Sequence, residues 1–258
     1  MIRSTLAATA LVLSLTQVAM AQVDAKFNYV LTLGGLNVAL MEVGLTDDGR
    51  RYGLDLSANV TGVGSVVASG TAKASVRGSS AGASLVSESF ALETRANGEV
   101  FTAEVGFSGR AVSTFQVNPP IVDTGDRVPI ERSQLSGVGD FISAFVLKGS
   151  ALDRSLCEKR ASIFTGVERF NIEMGFLDTD EATSPRTGYQ GPLVACSLRY
   201  RPISGHFASS EMTTYLAESS RMVLWYAPLG QTGYYVPYRV IVGTSMGDLS
   251  MILVGMRE

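Results

Sequence analysis

The feature that most constrains this chain is a two-residue alternation of apolar and polar side chains, recurring in short segments along most of its length. An extended strand sends successive side chains to opposite faces, so alternation marks segments with one buried face and one wet face. In Arg169 to Phe176, the residues Phe170, Ile172, Met174 and Phe176 fall on one side and Arg169, Asn171 and Glu173 on the other. Lys26 to Leu33 sets Phe27, Tyr29, Leu31 and Leu33 against Lys26, Asn28 and Thr32. Val194 to Arg201 repeats the pattern, with Cys196 on the apolar side.

Between such runs stand Gly34-Gly35, Asp48-Gly49 and Asn97-Gly98, dipeptides that tolerate the positive φ values of tight hairpins. They predict consecutive antiparallel neighbours. The pattern places strands at 26–33, 36–45, 52–58, 69–77, 83–94, 99–107, 110–117, 157–164, 169–176, 193–201, 213–218, 221–227, 235–244 and 248–256. The expected fold is all-β: a strongly curved, partly open antiparallel sheet, rolled or barrel-like, with one or two short helices. The better helix candidate is 139–147, where Asp140 can cap and Phe141, Ala144 and Phe145 share a face. A second short helix or turn is expected at Gly62 to Val67, and 178–188 reads as a polar loop. Its acidic residues Asp178, Asp180 and Glu181 lack the spacing of a calcium-binding loop, so no metal site is expected there. Residues 22–258 form one domain on this reading, with an N-terminal half 22–117, a connection 118–138 around Pro119-Pro120, and a C-terminal half 139–258.

Residues 1–21 have a basic Arg3, an apolar stretch and the small-x-small ending Ala19-Met20-Ala21, the layout of a cleaved signal peptide. The expected location is the periplasm. In an exporting compartment, an even pair of cysteines is oxidised rather than kept as two thiols. Cys157 and Cys196 are therefore expected to form a disulfide, and their wide separation argues for a structural rather than a redox bridge. The net charge of −3, without a basic run, excludes the electrostatic footprint of a nucleic-acid binder. No segment after residue 21 is long and apolar enough to span a bilayer as a helix, so an integral membrane protein is not expected. A 14-strand outer-membrane barrel fits the size, but the absence of a terminal aromatic and several apparently short strands oppose it.

The C-terminal half carries a more specific pattern. The order Gly139-Asp-Phe-Ile-Ser-Ala-Phe145, Leu156-Cys157, Phe164-Thr-Gly166, Arg169-Phe-Asn-Ile172, Cys196-Ser-Leu-Arg-Tyr-Arg-Pro-Ile-Ser-Gly-His206, Leu224-Trp-Tyr-Ala-Pro228 and Val236-Pro-Tyr-Arg-Val240 resembles the bacterial domain-of-unknown-function family 3108. Asp140-Phe-Ile-Ser-Ala144 departs from that family's Asp-Pro-Leu-Ser-Ala-like segment. The resemblance implies an exported protein of a Gram-negative bacterium, with paired cysteines and no established activity. It supplies no catalytic residues.

An enzyme is not expected. His206 is the only histidine, no Gly-x-Ser-x-Gly elbow occurs, and no glycine-rich phosphate loop precedes a helix. No cofactor is implied. The expected role is non-catalytic support of the cell envelope by binding a lipid or another apolar ligand in the curved sheet. Candidate contacts are Phe141, Phe145, Met174, Trp225, Tyr226 and His206, with Met41 and Met222 as further adaptable apolar side chains. The alternative is an envelope assembly or integrity protein that engages a protein or peptidoglycan partner without a small ligand. Arg199, Arg201, Tyr234, Tyr235 and Tyr238 are the candidate exposed surface for it.

Overall fold

The computed structural model describes residues 22–62, 70–122 and 124–258; the helix or turn expected at Gly62 to Val67 and the leader expected at 1–21 fall almost wholly outside them. The described residues build a single antiparallel sheet of 14 strands. Its N-terminal strands are β1 (Val23–Leu33), β2 (Leu36–Asp47), β3 (Arg51–Val60), β4 (Gly70–Ala81), β5 (Ser84–Ala96), β6 (Glu99–Ser108) and β7 (Ala111–Asn118). The C-terminal half adds β8 (Leu147–Lys148), β9 (Arg160–Phe164), β10 (Arg169–Ala182), β11 (Gly191–Ser204), β12 (Met222–Leu229), β13 (Tyr234–Thr244) and β14 (Gly247–Arg257). Each half is a meander of hairpins. They join where β1 pairs with β14, so the order across the sheet runs from β7 through β1 and β14 to β9, with β8 off this path on β13. The expected glycine turns are present: Gly34, Gly35, Gly49 and Gly98 have positive φ, as does Asn97.

The two halves bury their strands differently. In the N-terminal half, one face packs Phe27, Tyr29, Val43, Leu45, Leu54, Val76, Phe90 and Val105 into a core inside the curl, while the alternate side chains meet water. In the C-terminal half both faces are covered. Leu193, Ala227, Leu229, Tyr234 and Val236 join the inner core, whereas their neighbours Val194, Tyr226 and Tyr235 belong to a second cluster with Leu147, Leu156, Cys157, Ile163 and Leu224. That second face is covered by the segment around 147–157, with Leu216 of helix α1 (Glu211–Glu218) packed against it. Two buried faces explain why β12 reads as an unbroken apolar run, Met222 to Leu229, instead of an alternation.

The ladder does not close by strand pairing. Its free ends, β7 and β9, are bridged by the connection: Val138 donates its N–H to Arg110 O at 2.9 Å, Gly139 donates to Ser162 O at 2.9 Å, and Phe164 donates to Gly139 O at 3.0 Å. Ser136 also pairs with Ala111. This is the partly open, barrel-like sheet expected from the sequence. Among the described residues, no helix is long and apolar enough to cross a membrane.

Three expectations need correction. Residues 213–218 lie in α1 and not in a strand: Ser210 Oγ accepts the Thr213 N–H at 3.1 Å and caps the first turn. The 139–147 helix is only a 3₁₀ turn, Ser143–Phe145, after which the chain extends into β8. The loop read at 178–188 begins only after Ala182, because β10 continues through Asp178–Ala182 against Gly191–Ala195. As expected for strands that do not cross a bilayer, several are short: β7 and β12 have 8 residues, β9 has 5 and β8 has 2. Polarity opposes the membrane barrel as well: an apolar interior with charged Lys26, Glu42, Asp55 and Lys73 outside reverses what a lipid-embedded barrel requires.

Candidate functional site

Two buried carboxylates stitch the halves together. Asp47, the last residue of β2, is buried where β2 meets the C-terminal half. Its Oδ2 accepts from Tyr234 Oη at 2.5 Å, Ser80 Oγ at 2.8 Å and Lys148 Nζ at 3.1 Å, and its Oδ1 from the Gly49 N–H at 2.8 Å. Burial alone would raise the Asp47 pKa, but these hydrogen bonds outweigh it and hold the carboxyl below its ordinary value. Burial, with the neighbouring carboxylate, pushes the Tyr234 phenol far up, so it remains a donor. Asp140 is equally buried. Its Oδ1 accepts the N–H groups of Ile142 and Ser143 at 2.7 and 2.8 Å, and its Oδ2 accepts the hydroxyls of Ser87 and Ser143. Tyr52, pushed up to about 12 by desolvation and then by the Asp140 charge, donates to Ser87 at 3.4 Å.

The Asp47 cluster contains a serine and a lysine at 2.8 Å, yet their bond runs the wrong way for a lysine-activated nucleophile. Lys148 donates to Ser80, and Ser80 donates to Asp47. The lysine therefore does not take the serine proton, and the carboxylate that accepts from Ser80 is a weak base, held below its ordinary pKa by its donors. The arrangement is a latch between β2, β4, β8 and β13.

The candidate contact residues do not form one pocket. Phe141 and Phe145 pack edge to face with ring centroids 5.4 Å apart, and Phe141 meets Phe170 at 6.3 Å. Phe145 and Met174 flank the second cluster, in which Tyr226 is fully buried, its hydroxyl 3.9 Å from Met174 Sδ. Trp225 lies on the other face of β12, where its Nε1 donates to Asp180 Oδ2 at 2.9 Å. His206 sits apart from them, where 126–128 pairs with 205–208: its carbonyl accepts the Val128 N–H, and its Nδ1 is buried without a hydrogen-bond partner among the described residues. Of the candidate exposed surface, Tyr234, Tyr235 and Tyr238 are buried. They fill the two cores of a sheet covered on both sides. Cys157 and Cys196 are joined in a disulfide with a Cα–Cα distance of 5.3 Å, tying the covering segment to β11.

A cavity of about 710 Å³ is a trough on the wet face of β1–β6. Its floor is the backbone of inward-facing residues such as Leu45 and Ala74, and its walls carry Lys26, Glu42, Asp55, Lys73, Glu93 and Glu104. It is not the apolar pocket expected from the sequence. The apolar surface lies at the seam instead. There Phe115 of β7, 48% exposed, packs edge to face on Phe164 of β9 at 5.2 Å, and Phe141, 44% exposed, follows the bridging Gly139. Gly166, in the β9–β10 turn, approaches Ala103, Val105 and Val117, so this turn packs beneath β6 and β7.

No family model and no curated protein matches the chain. Family 3108 is therefore not supported as its family. Among solved structures, the chain is similar to the crystal structure of a beta-barrel-like protein of domain of unknown function DUF1849 from Brucella abortus. That likeness has a TM-score of 0.51 at 10% sequence identity and covers 93% of this chain and 99% of the other. At that identity it shows the fold: a beta-barrel-like sheet shared with a domain of unknown function.

Proposed function

We propose that this is a non-catalytic periplasmic protein that supports the cell envelope by holding a lipid or another apolar ligand within its curved sheet. The observation that carries this reading is the seam. The strand ladder stops at β7 and β9, a short connection bridges them, and half-exposed phenylalanines border an apolar interior. Separating the bridge would expose Phe164, Val138 and Ile142 of the inner core without unpairing the other strands. Such an opening suits an extended apolar chain better than a compact polar metabolite, which needs several convergent polar groups. The buried Asp47 and Asp140 latches would hold the halves in register meanwhile.

Mass spectrometry of protein recovered from a periplasmic extract tests the reading. Spectra taken under native conditions, and again after denaturation and organic extraction, are expected to show a lipid-sized adduct that extraction removes. A clean unliganded mass overturns the ligand reading and favours the partner-dependent envelope role. Recovery of the chain only in detergent overturns the periplasmic location.

A further inference from the structure

The two ends of the strand ladder are finished differently. On β9 the outer side is occupied: Gly139 donates to Ser162 O, and its own carbonyl accepts the Phe164 N–H. On β7 the cover stops at the start of the strand, where Val138 donates to Arg110 O and Ser136 pairs with Ala111. Among the described residues, no backbone group of 112–118 bonds outside the pairing with β6. Nor does β9 lie alongside that edge. Phe115 packs on the fully buried Phe164, and Gly166 abuts Ala103, Val105 and Val117, so β9 and its turn pass beneath β6 and β7. Ser113, Thr114, Phe115 and Gln116 are consequently exposed in succession, on both faces of the strand. Ser113 is the extra residue of a bulge opposite Gly106 and Phe107, which leaves 114–118 as the regular stretch.

We propose that the free edge of β7 pairs antiparallel with the same edge of a second copy of this chain, across a twofold axis near Phe115. An unpaired edge is a template for another strand, and chains that must stay apart guard such edges with charge. The stretch Ala111-Val-Ser-Thr-Phe-Gln-Val-Asn118 has no ionisable side chain, while Val112, Thr114, Phe115 and Val117 are strong strand formers. Two observations select a second copy as the occupant. The neutral sequence lets two identical strands meet without like charges facing each other, a condition that most strands of this sheet, with their lysines, arginines and carboxylates, do not meet. The ladder also has two ends, and one of them, β9, is already covered. A contact that uses the same edge on both partners therefore satisfies both copies and closes after two. In that register Thr114 faces Gln116 of the second copy, and each half-exposed Phe115 is covered by its counterpart. The contact is one strand wide, small beside a standard interface of ~1,600 Å², so the pair is weak and fills at high protein concentration. It needs no internal ligand, so a clean unliganded mass leaves it standing.

Sedimentation velocity of the disulfide-intact protein, from micromolar to millimolar concentration, is expected to show a monomer passing into a dimer and no further. Hydrogen exchange on the same samples is expected to slow at amides of 114–118 as the dimer fills, with β9 unchanged. Thr114→Lys and Gln116→Lys, introduced together at two exposed sites, set lysine opposite lysine on both sides of the axis. They are expected to weaken the dimer roughly tenfold and to leave the melting profile as it is. Should that variant fold poorly, the exchange pattern of the parent protein decides alone. A monomer at every concentration, a dimer indifferent to the two lysines, or protection that arises elsewhere overturns the proposal. Growth past the dimer means that a second edge takes part and overturns the closed pair as well.

Discussion

Asp47 shows why a single residue can matter without advertising itself. Its partners Ser80, Lys148 and Tyr234 lie 33, 101 and 187 positions away, so no local motif links them. The sequence offers only an acidic residue before an Asp-Gly turn. Replacing it, Asp47→Asn, leaves Lys148 without its buried counter-charge and is expected to cost about 3 kcal/mol at neutral pH. The pH dependence has a defined sign. A carboxyl held below its ordinary value contributes stability that is complete above its unfolded pKa of about 3.9 and is lost as pH falls through the lower folded value. Urea unfolding at pH 7 and at pH 3 should therefore show a large difference between the two proteins at neutral pH that shrinks in acid. A difference independent of pH would refute the ionised latch. The six sequence-read contacts fared differently because side-chain type marks apolarity but not which face of a doubly covered strand a residue takes. Trp225 and Tyr226 are adjacent, yet they point to opposite cores.

At the scale of the element, strands with one wet face were legible and strands with two covered faces were less so. The hairpins of the N-terminal half begin and end within a few residues of the alternation because its outer face stays in water. In β10 the polar Arg169 and Asn171, read as wet, are buried beneath the connection, where Arg169 Nε donates to Gln134 O at 3.0 Å and Nη1 to Asn171 Oδ1 at 2.8 Å. Helix α1 was missed because Thr213, Thr214 and Tyr215 favour strands, although Ser210 and Glu211 carried the start signal of a helix. The 3₁₀ turns at Ser143–Phe145 and Arg154–Cys157 are too short for any periodicity to register. Their place is fixed by long-range anchors, chiefly the disulfide to β11. Replacing both Cys157 and Cys196 by serine removes a cross-link over about 40 residues, and chain entropy sets the expected loss near 4 kcal/mol. Denaturant unfolding measures the total. Hydrogen exchange should localise the loosening to 147–157 and the face of β11 and β12 beneath it, whereas β2 to β4 keep their protection. Alkylation of two thiols in the unreduced protein would contradict the bridge.

For the whole molecule the decisive question is how a sheet this long ends. An exposed strand edge invites pairing with other chains unless it is covered or paired. This fold answers with its own connection: residues 136–139 lie between β7 and β9 and satisfy Arg110 O and Ser162 O with the N–H groups of Val138 and Gly139. The closure is therefore a few hydrogen bonds deep, while the join between β1 and β14 is a full ladder. The molecule should open at the seam first. Gly139 allows this to be tested by two substitutions at one position. A Cβ there would meet only Ser87 Oγ at 3.6 Å, an ordinary contact, so Gly139→Ala is expected to fold and behave as the parent does. Gly139→Pro removes the donor to Ser162 O and leaves that half-buried acceptor unpaired, for an expected cost of about 1 kcal/mol. In that variant, amides of β7 and β9 should exchange much faster, with exchange in β1, β2 and β14 unchanged. Uniformly faster exchange across all strands would mean that the bridge is integral to a single cooperative unit and that the sheet has no preferred place to open.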